Sequence, residues 1–190
     1  MARETIAVVS GLPRSGTSMM MSMLEAGGMP LLTDDIRTAD EDNPRGYYEF
    51  ERVKQIEHDQ AWLEDAKGKA VKMVSALLER LPHSYSYNVI FMRRNLEEIL
   101  ASQRQMLIRR GRPVDPSADE QMTRIFRKHL RQVQHWLDTQ PNIRVLYMQY
   151  RHVLDDPAGQ AERVNRFLGN VLDVEAMADV VDASLHRQRR

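Results

Sequence analysis

The sequence predicts an α/β fold, a three-layer sandwich in which a mostly parallel sheet carries helices on both faces. Short apolar runs at residues 5–10, 70–74, 88–92 and 143–148 alternate with stretches of helical periodicity. Right-handed strand–helix–strand crossovers produce that order. The first run stops at a turn containing Gly and Pro, in Val8-Val9-Ser10-Gly11-Leu12-Pro13-Arg14-Ser15-Gly16-Thr17-Ser18-Met19-Met20, and a helical pattern starts at once. The 190 residues are 42% hydrophobic and 28% charged, which suits one domain (1–190) with a proper core.

The formal net charge is zero, so neither nucleic acid nor a membrane is expected as a partner. The absence of cysteine excludes disulfides and thiolate-bound metals. No apolar run is long enough for a signal-peptide core or a membrane span, and the expected location is cytoplasmic.

Taken in order, a strand at 5–10 leads to a helix at 15–26 that ends at Gly27-Gly28. Four of the twelve methionines fall within Met19 to Met23 and are expected to fill a helix–sheet interface. Residues 30–46 form a long, polar, turn-rich loop, the kind that is usually functional or disordered. A helix is expected from Glu49 to about Asp65, with Phe50, Val53, Ile56 and Trp62 on its apolar side. The strand at 70–74 contains Lys72, and the chain from there to Pro82 reads as a short helix or irregular segment. After the strand at 88–92, Asn95 with Glu98 makes a capping box for a helix to about Ile108. Ser117 with Glu120 makes a second box, opening the longest helix. A strand at 143–148 follows, then a helix capped by Asp156-Pro157 and running to about Gly169. The last twenty residues read as helical with a basic end.

The glycine turn between strand and helix is a phosphate cradle. Loop amides and the free N–H groups of the helix converge, the helix dipole makes that point positive, and Gly11 and Gly16 let backbone approach an anion. The pattern Gly11-x-x-x-x-Gly16-Thr17-Ser18 matches a nucleotide-triphosphate loop except that Thr17 stands where the lysine belongs. The later strands run out into Ser75, Arg93-Arg94 and Gln149, without the carboxylate a magnesium ion needs. A polyanion held by arginines and amides, with no metal, is therefore expected. Arg14 and Arg94 both sit where a helix begins, an end that disfavours cations by ~0.3–1 kcal/mol unless a bound anion reverses the sign.

These motifs resemble the sulfotransferases that use 3′-phosphoadenosine 5′-phosphosulfate (PAPS). The family's 5′-phosphosulfate loop is matched by Pro13-Arg14-Ser15-Gly16-Thr17-Ser18, and its 3′-phosphate motif, an arginine with a serine eight residues on, by Arg94 and Ser102. Val145-Leu146-Tyr147-Met148-Gln149-Tyr150, then Asp156-Pro157 and Phe167-Leu168-Gly169, is similar to its late strand and helix. The resemblance spans about residues 5–169 and implies a P-loop NTPase-like fold. It implies sulfuryl transfer to a hydroxyl or amine, with Pro13, Arg14, Ser15, Gly16, Thr17, Ser18, Arg94 and Ser102 holding the donor and its product, adenosine 3′,5′-bisphosphate.

The general base is not settled by the resemblance. Cytosolic members carry a histidine two residues after a strand lysine; Lys72 matches the lysine, but Val74 stands at the histidine. Tyrosylprotein-type members use Glu-x-Arg, for which Asp35-Ile36-Arg37 has the spacing with a shorter acid, and Glu49 is a further candidate. Catalytic candidates are thus Arg14, Asp35, Arg37, Glu49 and Lys72. His58 and His129 lie in helical patterns and are read as structural or solvated, and the arginines from Arg104 to Arg131 as a solvated helix surface. The family's C-terminal Arg-Lys-Gly clamp is absent, and either Arg187, Arg189 and Arg190 substitute for it or the tail is disordered. Two alternatives stand beside this reading: a small P-loop kinase or nucleotidase, and a non-catalytic nucleotide-binding relative.

Overall fold

The computed structural model describes residues 4–34, 36, 46–114 and 116–182. Four strands, β1 (Ile6–Gly11), β2 (Ala70–Val74), β3 (Tyr87–Arg93) and β4 (Ile143–Gln149), form a sheet in the order β2-β1-β3-β4, every pair parallel. The chain passes from β1 to β2 on one side, then crosses to β3 on the other. The carboxyl end of β1 is therefore the switch point at which a crevice opens in such sheets.

The α-helices are α1 (Thr17–Ala26), α2 (Trp62–Asp65), α3 (Leu96–Arg109), α4 (Asp119–Asp138), α5 (Tyr150–Asp155), α6 (Pro157–Leu168) and α7 (Val174–Asp179). Side chains alternate across the strands and divide the core in two. Ala7, Val9, Ile90, Met92 and Met148 pack beneath α1, α6 and α7, while Ile6, Val8, Val71, Val89 and Phe91 pack beneath α4 and the 53–66 segment. The three layers are those expected. The methionines do fill the interface: Met20, Met21 and Met23 of α1 are fully buried with Met148 and Met177. Each such side chain contributes about 1.5–3 kcal/mol, so α1 and the loop ahead of it are seated by packing.

Several elements differ from expectation. The helix expected from Glu49 to Asp65 is a 3-10 turn (Glu51–Gln55) and the short α2. Asp59 causes the break, because its carboxylate accepts from Ala61 N–H at 3.2 Å and pairs with Arg52, competing with helical bonding. The second capping box does not form. Ser117 lies in a 3-10 turn (Pro116–Ala118), and α4 starts behind Ala118 with no side-chain cap. Asn95 does cap α3, but through Glu97 N–H, and Glu98 turns instead to Arg94. The cap at Asp156 and the left-handed Gly169 stop are as expected. Of the C-terminal helix only α7 appears, and residues 183–190, with Arg187, Arg189 and Arg190, lie outside the described residues.

Candidate active site

The cradle forms at the end of β1. Gly11 (φ 152°), Arg14 (φ 69°) and Gly16 (φ 100°) all take positive φ, and Ser15 N–H closes the turn onto Leu12 O at 3.2 Å. Both glycines are required sterically. A Cβ on Gly11 would lie 2.6 Å from Met92 O, and one on Gly16 would lie 2.5 Å from the ring of Tyr150. The helix α1 starts behind Gly16 with no side-chain cap, the kind of helix start that suits an anion. Ser15 is buried, and its hydroxyl has no hydrogen-bond partner among the described residues. Pro13 is exposed at the tip of the turn.

The left-handed backbone at Arg14 costs roughly 1–3 kcal/mol, and long-range contacts hold it. Arg14 Nε donates to Ser102 Oγ at 3.0 Å, and Arg94 Nη1 donates to Arg14 O at 3.1 Å. Residues of the two phosphate motifs, expected to act on one ligand, thus touch directly. Arg94 also donates through Nε to Glu98 Oε2 at 2.9 Å, both side chains nearly buried at 9% and 11% exposure. Its guanidinium stacks 4.3 Å from the Tyr150 ring centroid. Burial raises the Tyr150 phenol above its ordinary pKa; Glu98 raises it further, while Arg94 and Arg14 act in the opposite sense.

On the α1 side, Lys72 Nζ reaches Ser18 Oγ at 3.3 Å, donates to Tyr47 O, and lies 4.0 Å from a Glu49 carboxylate oxygen. Lys72 and Glu49 are thus brought to the phosphate loop through Ser18. Thr17 is the first residue of α1 and half-buried. Val74, level with Gly11 in the sheet, is 44% exposed at the mouth. Asp35 and Arg37 lie outside the described residues. A groove of about 470 Å³ opens at the ends of β3 and β4, lined by Arg93, Arg94, Asn95, Glu98, Gln149 and His152 among others.

Two site residues escaped the sequence reading. Glu98 had a usable signal, an acid four residues after Arg94 on one helix face. Tyr150 had the weaker one of directly following the β4 motif. His129, read as structural or solvated, has a structural contact: its Nε2 lies 2.8 Å from Ser75 Oγ at the end of β2. The basic surface is largely as expected, with Arg124, Arg127, Lys128 and Arg131 exposed and Arg104 paired with Asp119. Among the described residues no three His, Asp or Glu side chains are grouped to hold a metal ion, and no helix is long and apolar enough to cross a membrane.

The family model for the sulfotransferase domain matches residues 4–188, nearly the whole chain. The chain belongs to the sulfotransferase domain family. Among solved structures it is similar to the sulfotransferase domain from the curacin biosynthetic pathway, at 16% identity and a TM-score of 0.55, covering 94% of this chain and 78% of that one. It is also similar to a sulfotransferase from Alicyclobacillus acidocaldarius, at 17% identity and a TM-score of 0.54, covering 90% and 84%. These likenesses carry the fold. A third, to a sugar kinase from Janibacter sp. HTCC2649 at 14% identity, 94% and 98% coverage and a TM-score of 0.46, decides nothing about activity. No curated protein matches the sequence.

As a sulfotransferase domain, the chain has residues that fit a sulfated nucleotide. The glycine cradle, the uncapped helix and the orphaned Ser15 hydroxyl suit the 5′-phosphosulfate end, and Arg94 with Ser102 suits a second phosphate.

Proposed function

We propose that the chain transfers the sulfuryl group of PAPS to a hydroxyl or amine acceptor by in-line displacement, leaving adenosine 3′,5′-bisphosphate. The observation that carries this reading is the Arg94–Arg14–Ser102 contact beside the start of α1, which brings the two motifs together and supports their acting on one anion. The groove at the ends of β3 and β4 is of a size to take the nucleoside.

PAPS brings an already activated sulfuryl group, so the protein's work is positioning and charge stabilisation. Arg14 and the amides of Ser15, Gly16, Thr17 and Ser18 oppose the negative charge that grows on the departing 5′-phosphate. Glu49 takes the proton from the acceptor as its oxygen or nitrogen bonds to sulfur. Lys72, held by Ser18 and Tyr47 O, sets a positive charge beside that carboxylate and the loop. Asp35 with Arg37 is the competing base pair, and Asp35→Asn against Glu49→Gln separates them by turnover.

Calorimetry with adenosine 3′,5′-bisphosphate in the absence of magnesium tests the reading. The expected result is one-to-one binding that Arg14→Ala and Arg94→Ala each weaken by at least ~10-fold, the scale of one charged hydrogen bond. Absence of binding, with magnesium–ATP bound instead, overturns it in favour of a kinase.

A further inference from the structure

Residues 30–34 attach to the outer edge of β2. Leu31 lies level with Ala70 in parallel, Ala70 N–H donates to Pro30 O at 2.9 Å, and Leu32 N–H donates to Ala70 O at 2.8 Å. Two residues on, Asp34 takes hold of the segment that carries Glu49. Its own N–H donates to Glu49 O at 3.2 Å. Its carboxylate accepts from Glu51 N–H at 2.5 Å through Oδ2 and from Ile36 N–H at 3.2 Å through Oδ1. The bonds to Glu49 and Glu51 straddle Phe50, whose ring packs edge-on against the buried Trp62 with centroids 5.7 Å apart. Lys72 grips the same segment at Tyr47 O and stands 4.0 Å from the Glu49 carboxylate. Lys72 follows Ala70 by two residues on β2, so the contacts close a ring from β2 through residues 30–34 to Glu49 and back to Lys72. Tyr48, inside that ring, holds a left-handed φ of 51°, a conformation that persists only where its surroundings enforce it.

We infer that Asp34 is a positioning residue for sulfuryl transfer, acting through Glu49 by clasping the backbone on either side of Phe50 so that the Glu49 carboxylate stays beside Lys72. The role rests on the proposed part of Glu49 as base and goes beyond it, because Asp34 belongs to neither phosphate motif. A carboxylate accepting from a backbone N–H makes one of the stronger hydrogen bonds, which suits a tie between two chain segments far apart in sequence. With the carboxylate removed, the bond from residue 34 N–H to Glu49 O remains, but Glu51 N–H loses its partner and the segment can turn about Phe50. A base displaced by about an ångström loses on the order of 10²-fold in rate.

Amide hydrogen exchange and turnover of Asp34→Ala and Asp34→Asn test the role. Asp34→Ala is expected to speed exchange at the Glu51 amide at least ~10-fold, the scale of one hydrogen bond to a charged group. Exchange in β1 and β3, and calorimetric affinity for adenosine 3′,5′-bisphosphate, stay unchanged. With PAPS as donor and whichever of 2-naphthol and glucosamine is sulfated as acceptor, kcat falls by about 10–10²-fold while KM holds. In a Glu49→Gln background the same substitution lowers kcat no further, because the carboxylate it positions is gone, whereas a merely structural loss is felt in both backgrounds. Asp34→Asn keeps an acceptor oxygen for Glu51 N–H and recovers most of the rate. Unchanged Glu51 exchange in Asp34→Ala, an equal kcat loss with and without Glu49, or asparagine no better than alanine overturns the inference. Failure of the base reading shows separately, as Glu49→Gln turning over like the parent, and faster Glu51 exchange in Asp34→Ala then still reads the clasp.

Discussion

Glu98→Gln is expected to tighten nucleotide binding while loosening the fold. Glu98 and Arg94 form a nearly buried pair at 2.9 Å. Arg94 spends two of its five N–H donors on Glu98 and Arg14 O and keeps three for an anion. A phosphate on the far side of the guanidinium lies roughly 7 Å from the Glu98 carboxylate, and like charges at that distance repel by about 2 kcal/mol at an effective dielectric of ~20. Glutamine keeps an acceptor for Nε but removes the charge. Bisphosphate affinity should rise about 30-fold by calorimetry, while stability to urea falls by about 1–3 kcal/mol as a charged hydrogen bond becomes neutral. Arg94→Ala has the opposite profile on binding and costs about 3–5 kcal/mol of stability, because it strands the carboxylate. The double variant Arg94→Met, Glu98→Leu should recover much of that stability without any binding. Unchanged or weaker binding in a folded Glu98→Gln protein would refute the reasoning, showing that Glu98 serves the ligand by orienting Arg94.

Gly16→Ala should weaken bisphosphate binding at least ~10-fold, since its Cβ meets Tyr150 at φ 100°; calorimetry beside an unfolding curve separates site from fold. Glu49→Gln and Lys72→Met should each lower kcat by about 10²-fold or more, the range of general acid–base catalysis, with bisphosphate affinity nearly constant. Burial raises the phenol pKa of both Tyr87 and Tyr150 in the folded chain. The unfolded phenols ionise near pH 10 while the folded ones stay neutral, so this stability is full below pH 10 and is lost as the pH rises beyond it. Urea titrations at pH 8 to 11 should show that loss, and Tyr150→Phe should make it shallower.

The parts of this molecule legible in its sequence are those set by local rules. The strand cores at 6–10, 70–74 and 88–92 follow from apolar runs, Asp156 and Gly169 from capping chemistry, and the cradle from glycines between a strand and a helix. The misses come from choices between local rules, or from contacts distant in sequence. Asp59 took the backbone partner that a helix at 49–65 needed. Glu98 had a cap to complete and a buried arginine to neutralise, and the arginine won because an unpaired buried charge costs more than a missing cap. That Tyr150 walls the cradle, or that Ser75 meets His129, depends on β4 and α4 folding back over the sheet, which no window of sequence contains.

The thioether layer under α1 has a mechanical consequence. Met20, Met21 and Met23, with Met92, Met148 and Met177, are unbranched and have three rotatable bonds apiece, so they refill space after small sliding motions that a leucine and isoleucine layer would resist. On the proposed function, the helix whose tip would meet and lose a nucleotide's charge rides on a deformable cushion. Its recoil can be absorbed locally, leaving the strands beneath in register.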